Sequence, residues 1–563
     1  MTIAGADTNH FFVTSPLPGS FKATRIWVLG DSGTGTTNQV KVRNAFETFT
    51  GTRHTDLWLM LGDNAYPNGT DSEFQTALFN IYTNMLRKSV LWPTLGNHET
   101  YSVNPNGNHA PFDIFTLPRN GEAGGFASGT EHYYSFDYAN IHFVCLDSME
   151  TPRSSTGLMA QWLTNDLANT TADWIIAFFH HPPYTKGSHN SDDYTDSDGA
   201  LVQMRTNIIP LLEDGGVDLV LAGHSHCYER SFLLDRHYGY SPSLSPTNKL
   251  NAGSGRESGT GAYAKPVGGP IPHQGAVYAV VGSSGQISGG SLNHPAMFVS
   301  LNNPGSMVLD ISSNRLDAKF LREDGTTNDD FAILKLNYPP AANDLAANVA
   351  GDFPATFTLQ GGDINHDSIS FVPNTSPTHG LLSAFNPATG EFTYTPAHGF
   401  IGNDGFTFRV SDGQTNSLPA TVSLAVSAPP DTNANGMADY WESTFGFPSP
   451  ESDADTDGLT ASQEYWANTD PGNPASVLRL LTISRDANGH CTLTWASVGG
   501  TRYRVSYADT LGESFANLAR PVLLEMDAAV TGTASTNSFT DDFALTGGPP
   551  TTGARYYQVK VVR

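Results

Sequence analysis

Cysteine is nearly absent: Cys145, Cys227 and Cys491 are the only three in 563 residues, and none has C-x-x-C spacing. That excludes a disulfide framework and a thiolate metal site, and it leaves the three as ordinary core residues. Basic residues are scarce as well, 29 Lys plus Arg against 55 Asp plus Glu, and no segment carries a basic stripe. Nucleic-acid binding by charge is thereby excluded. Runs of 18 or more apolar residues are missing, so no segment reads as a membrane-spanning helix. The opening stretch, MTIAGADTNHFF, has no basic region followed by an apolar one, so it does not read as a signal peptide, and one removed ahead of it stays open.

What is there is organised in blocks. A length of 563 residues implies three or four folding units. Residues 1–340 form the first expected domain, in which short apolar runs (RIWVLG, DLWLMLG, DWIIAFF) alternate with helical segments (TNQVKVRNAFETF, DSEFQTALFNIYTNMLRK). Such alternation predicts a layered α/β domain. In TGLMAQWLTNDLANT, helical spacing puts Leu158, Trp162, Leu163 and Leu167 on one side. A Pro/Ala/Asn linker then leads into residues 341–428, where short β-type runs such as GEFTYTP and DGFTFRVSDG predict a small β-sandwich. Residues 429–475 are acidic, and residues 476–563 alternate again as a terminal β-domain.

Five apolar runs of the first domain end in groups that can bind a metal. They are VLGDSG with Asp31, MLGDNAY with Asp63 and Tyr66, TLGNHE with Asn97 and His98, FFHHPPY with His180 and His181, and LAGHSHCYER with His224 and His226. The carboxyl ends of strands in open α/β sheets are where loops converge into sites. A glycine directly before the polar group in four of the five permits a sharp turn and close approach. Carboxylates, an amide oxygen and imidazoles suit iron, manganese or zinc, unlike the all-oxygen cage of calcium. Two such ions about 3.5 to 4 Å apart can share a carboxylate and a hydroxide and clamp a phosphoryl group for in-line displacement. His224 and His226 alternate along what reads as an extended segment, so each could reach a separate ion.

The ordered set GDSG, GDNAY, GNHE, HHPP and GHSH resembles the calcineurin-like metallophosphoesterase superfamily, and the tyrosine in GD-x-x-Y resembles its purple acid phosphatase branch. The resemblance spans a little over half the chain. It implies a sandwich of two mixed β-sheets flanked by helices, followed here by all-β modules. It further implies that Asp31, Asp63, Tyr66 and His226 hold one metal and that Asp63, Asn97, His180 and His224 hold the other, with Asp63 as the bridge. Fe(III) plus divalent Zn, Mn or Fe is the implied pair, the phenolate of Tyr66 favouring the ferric ion. His98 is implied to hydrogen-bond substrate phosphate, and His189 to support substrate or protonate the leaving group. His181 reads as an outer or substrate-facing residue. The implied activity is hydrolysis of a small phosphorylated substrate, a phosphomonoester, by a metal-bridging hydroxide. Alternatives are a phosphodiesterase or a nucleotide or pyrophosphate hydrolase on the same site and, in another class, a calcium-dependent adhesion or scaffold protein with an inert phosphatase domain. Plant members place a β-domain ahead of the catalytic one, whereas here about twenty residues precede it.

The acidic section carries DTNANGMADYWE and DADTDGLTASQE, both matching the calcium-loop pattern D-x-[DN]-x-[DN]-G-x5-E. The candidate ligands are Asp431, Asn433, Asn435, the Met437 carbonyl, Asp439 and Glu442 in one loop. In the other they are Asp453, Asp455, Asp457, the Leu459 carbonyl and Glu464. These loops resemble thrombospondin type 3 or dockerin-like calcium repeats, and residues 341–428 resemble bacterial cadherin-like or Ig-like modules. Together they imply a secreted or cell-surface protein whose C-terminal modules meet a glycan, protein or surface partner.

Overall fold

The structure is a computed structural model that describes residues 11, 13–446, 449–510, 520–529, 532–550 and 553–562. It divides into two compact units, Met1–Asn337 and Tyr338–Arg563.

The first unit is a sandwich of two seven-stranded mixed sheets. In one sheet β1 (Thr24–Leu29), β2 (Leu57–Met60) and β3 (Val90–Pro93) run parallel, and Gly305–Ser312 pairs antiparallel with β1. The other contains β4 (Tyr134–Tyr138), β5 (Ile141–Cys145), β6 (Trp174–Phe179), β7 (Leu219–Ala222) and β8 (Tyr228–Ser231), with β5, β6, β7 and Val277–Val281 parallel. These strands are apolar on both faces because each face is covered. Ile26, Val28, Ile176 and Phe178 point into the sandwich, whereas Trp27 and Leu29 pack under the helix Thr37–Thr50. Trp27 stacks on Phe46 of that helix with ring centroids 4.2 Å apart.

The structure departs from the sequence pattern at two places. The helix Leu158–Asn169 buries Met159, Ala160, Trp162, Leu163, Asp166 and Leu167 but leaves Leu158 76% exposed, because Leu158 opens the helix on its outer side. The segment from Asp71 is broken rather than one helix: Asp71–Phe74 is α-helical, Gln75–Phe79 is a π turn, and Thr83–Leu86 is α-helical again. Phe74, Leu78 and Tyr82 are all buried. A spacing of four outruns the 3.6-residue period, and the wider π turn absorbs the difference.

The second unit begins with a sandwich over 341–427, a four-stranded sheet facing a three-stranded one around Phe392, Tyr394, Phe406 and Phe408. Ala420–Ser427 shows strict buried/exposed alternation, as a half-buried strand should. Each acidic loop runs into a short helix, Asp439–Phe445 and Ala461–Ala467, joined by a small core of Met437, Trp441 and Tyr465. His398 of the sandwich pairs with Asp352 at 3.0 Å and also bonds the Tyr465 carbonyl. Two three-stranded sheets close the chain around Trp495, Tyr503 and Val505. Cys145 and Cys227 are buried and Cys491 is half-buried, all three free. Among the described residues no helix is long and apolar enough to cross a membrane.

Candidate metal centre

The donors lie just beyond the carboxyl ends of β1, β2, β3, β6 and β7. The first sheet supplies Asp31, Asp63, Tyr66 and Asn97, all oxygen donors, and the second supplies His180, His224 and His226, all nitrogen donors. Asp31, Asp63 and His224 hold φ of +55°, +53° and +64°, a left-handed backbone that persists only where the surroundings over-determine it. The preceding glycines allow the crowding: a Cβ at Gly62 would sit 2.5 Å from His180 Nδ1, and one at Gly223 2.5 Å from Asp31 Oδ2. Residues 223–227 form a tight turn instead of the extended segment expected, with Ser225 N–H bonded to the Gly223 carbonyl and Cys227 N–H to that of Ser225. His224 and His226 nevertheless reach different clusters.

In one cluster Tyr66 Oη lies 3.1 Å from Asp63 Oδ2, 3.4 Å from Asp31 Oδ1 and 3.3 Å from His226 Nε2. In the other, Asn97 Oδ1 lies 3.0 Å from His180 Nε2 and 3.1 Å from His224 Nδ1, and those two nitrogens are 3.1 Å apart. Asp63 Oδ2 belongs to both, 3.6 Å from His180 Nε2. The remaining carboxylate oxygens are turned to backbone: Asp31 Oδ2 accepts the His224 N–H at 2.8 Å, and Asp63 Oδ1 that of His98 at 3.0 Å.

Proton positions follow from the outer partners. His180 Nδ1 faces the Leu61 carbonyl at 2.8 Å and must carry the proton, so its Nε2 lone pair faces the cluster. Asn97 Nδ2 donates to Tyr101 Oη at 2.8 Å, which turns Oδ1 inward. His224 Nε2 and His226 Nδ1 rest on Ser197 Oγ (2.7 Å) and Ser288 Oγ (2.9 Å). Acceptor therefore faces acceptor at about hydrogen-bond distance, an arrangement that a cation resolves; the donor set fits two metal ions. Burial pushes the Asp31 carboxyl and the Tyr66 phenol well above their ordinary ranges, Asp63 adding to both, so their anionic forms need positive charge nearby. Burial and the surrounding imidazoles hold His224 well below its usual value, neutral and ready to donate.

His98 lies on the rim, its Nδ1 on the Pro67 carbonyl at 2.6 Å and its Nε2 3.9 Å from Asp63 Oδ2. His189 stacks on His224 with centroids 3.8 Å apart, and its Nδ1 meets Asp196 Oδ1 at 2.8 Å. His181 is buried against Ser148 and lowered well below its usual range by burial. Glu99 escaped the sequence reading. Its two oxygens accept the N–H groups of Asp63 (2.9 Å), Asn64 (2.5 Å), Ala65 (3.1 Å) and Gly96 (2.7 Å), tying the loop after β2 to the loop after β3. Its sequence signal is the acidic residue of GNHE. Ser197, Ser288 and Asp196 lie in polar loops with no pattern to mark them.

In the acidic loops, Asp431 accepts the N–H groups of Asn435 and Gly436, and Asn433 and Asn435 both reach Glu442. Asp439 turns away, both its oxygens taken by Thr432. In the second loop Asp453 caps Thr456 and Gly458, whereas Asp455 Oδ2, Asp457 Oδ2 and Glu464 Oε2 are buried without a hydrogen-bond partner. Burial, then Asp455 and Asp457, push Glu464 up to about 7.

Residues 24–228 match the calcineurin-like phosphoesterase family, and residues 337–425 match the bacterial Ig domain. Purple acid phosphatase 15 of Arabidopsis thaliana is 30% identical over 261 residues, 41% of this chain and 45% of that protein. Purple acid phosphatase 23 of the same plant is 32% identical over 148 residues, 26% of this chain and 29% of that protein. The chain thus spans less than half the length of these curated relatives. Among solved structures, a purple acid phosphatase from yellow lupin (Lupinus luteus) seeds aligns with a TM-score of 0.43 and 18% identity, covering 58% of this chain and 56% of that one.

Proposed function

Because residues 24–228 are a calcineurin-like phosphoesterase domain with purple acid phosphatase relatives, we propose that this protein is a metal-dependent phosphatase hydrolysing small phosphomonoesters at a binuclear centre. The observation that carries the reading is the pair of donor sets meeting at Asp63 Oδ2. Asp31, Asp63, Tyr66 and His226 hold one ion, and Asp63, Asn97, His180 and His224 the other. The hard phenolate favours Fe(III) in the first place, and Zn, Mn or Fe(II) suits the imidazole-rich second. When bound, the pair supplies Lewis acidity toward the phosphoryl oxygens and an activated water. His98 Nε2, on the rim, hydrogen-bonds the phosphoryl group, and His189, oriented by Asp196, supports the leaving side.

The same reading extends to calcium in residues 429–475, supported by the three unpaired buried carboxylate oxygens of the second loop. A secreted or cell-surface setting, in which the C-terminal modules meet a surface, glycan or protein, is supported by the bacterial Ig domain.

The test is metal analysis of the purified full chain together with rates on a phosphomonoester, a phosphodiester and pyrophosphate. Activity is expected to follow metal content, to favour the monoester and to be mostly lost in His224→Ala. Equal activity after exhaustive chelation would overturn the reading, and faster turnover of the diester would move the substrate class.

A further inference from the structure

A cavity of about 490 Å3 is lined by Asn97, His181, His189 and His224 and also by Arg153, which has so far had no role. Arg153 is half-buried. Its Nε donates to Gln203 Oε1 at 2.9 Å, and its Nη1 donates to the carbonyls of Ser148 (2.9 Å) and Met149 (3.0 Å). Asp147 shapes that turn, its Oδ1 accepting the N–H groups of Met149 and Glu150. All the acceptors on the guanidinium are neutral. Among the described residues no carboxylate forms an ion pair with it, and its Nη2 has no hydrogen bond within the protein. Asp198 lines the same cavity beyond ion-pair reach. Burial pulls the Arg153 pKa down even though Asp147, Tyr194 and Asp198 oppose it.

A guanidinium half-removed from water without a counter-ion is costly to keep, whereas one held through Nε and Nη1 leaves the two N–H groups of Nη2 pre-organised for an anion. A brace for the 147–153 turn would need only the Nε and Nη1 bonds. We propose that Arg153 is a specificity-determining residue that takes an anionic group, a carboxylate or a second phosphoryl, carried by the leaving group of a phosphoester whose scissile phosphoryl lies on the donor clusters. The substrate class is then a phosphomonoester with a charged alcohol. This rests on the phosphatase reading above. His189, with Asp196 on its Nδ1, lines the same cavity, while Arg153 fixes the far end and lets binding energy there position the reacting end.

The experiment compares ethyl phosphate, phosphoglycolate and ethylene glycol bisphosphate as substrates of the metal-loaded full chain and of Arg153→Gln. Wild type is expected to prefer one or both charged esters, the carboxylate and phosphoryl arms telling which anion is native. Arg153→Gln should lower kcat/KM on the preferred charged ester by about 10- to 100-fold, as expected for a lost charge-assisted hydrogen bond, and leave ethyl phosphate within a few fold. Equal losses on all three esters would make Arg153 a brace only, and no loss would exclude it from the site. If Arg153→Gln fails to fold, Arg153→Lys, which keeps the charge but not the fork, decides by a smaller loss confined to the charged esters. Inactivity of the wild type on all three would fail the phosphatase reading and not this one. Binding then decides: phosphonoacetate should bind the metal-loaded chain more tightly than methylphosphonate, and Arg153→Gln should erase the difference. A wild type without that preference, or a variant that keeps it, overturns the proposal.

Discussion

His142 offers a sharp test of how the catalytic unit is held together. It lies on β5, 1% exposed, with Nδ1 2.7 Å from Asp137 Oδ1 on β4 and Nε2 2.9 Å from Asp166 Oδ2 on the helix Leu158–Asn169. Burial alone would keep the ring neutral, but the two carboxylates outweigh it and raise the pKa from 6.5 to about 9. The folded form therefore holds a proton that the unfolded chain releases near pH 6.5. Stability from this ion triad is fully present below that pH and is lost as pH rises through about 9. At 1.36 kcal/mol per pH unit, the difference between 6.5 and about 9 amounts to about 3 kcal/mol as an upper figure. The assay is amide exchange of peptides covering 134–145 and 174–179 in a urea series, for wild type and His142→Gln, at pH 6 and pH 9.5. The stability gap between the two proteins should be widest at pH 6 and shrink by about 3 kcal/mol at pH 9.5. A gap that stays constant would mean that the ring is neutral in the fold, and the charge argument would fail.

Three further outcomes are expected. Glu99→Gln keeps one acceptor oxygen and sets an NH2 against two backbone N–H groups, so thermal denaturation should show a loss of about 2 to 6 kcal/mol, at about 1 to 3 per buried orphan, with weaker metal retention; an unchanged melting curve would refute the tie between the two loops. Iron-loaded, oxidised protein should absorb in the visible, and Tyr66→Phe should bleach it without unfolding the chain; an iron-replete oxidised protein with no band would show that the phenol does not bind. Removing calcium should expose residues 429–475 to protease and leave phosphatase activity nearly unchanged, since calcium at a hundredfold excess over Kd stabilises only the form that binds it, by about 2.7 kcal/mol; nicking that ignores calcium would count against the loops.

Much of the donor layout is legible in the sequence because five strand ends each announce a donor, and because strands covered on both faces read as unbroken apolar runs. Glu99, Arg153 and the serines behind His224 and His226 are not legible, since their roles arise where loops distant in sequence meet. Leu158 is not legible because it lies at the outer flank of the buried face, where helical spacing alone does not decide on which side of the boundary a residue falls. The π turn after Phe74 was hidden for a related reason: periodicity reports that Phe74, Leu78 and Tyr82 share a face, not how the backbone manages it. His224 and His226 reach different donor clusters through a turn with a left-handed residue and not through strand alternation.

The division of donors, oxygen from one sheet and nitrogen from the other, sets an order of events during synthesis. A nascent chain that has made only β1 to β3 presents two carboxylates, a phenol and an amide, and no imidazole ligand until His180 and then His224 and His226 have emerged. The first sheet is itself unfinished at that point, because β1 pairs on one side with Gly305–Ser312, more than seventy residues further on. Selective capture of a metal pair by these donors would thus belong to the closed sandwich and not to the growing chain. On the binuclear reading, the ions held there would be chosen after folding from what the surrounding compartment offers, so the same polypeptide made in two places would mature into two different metalloproteins.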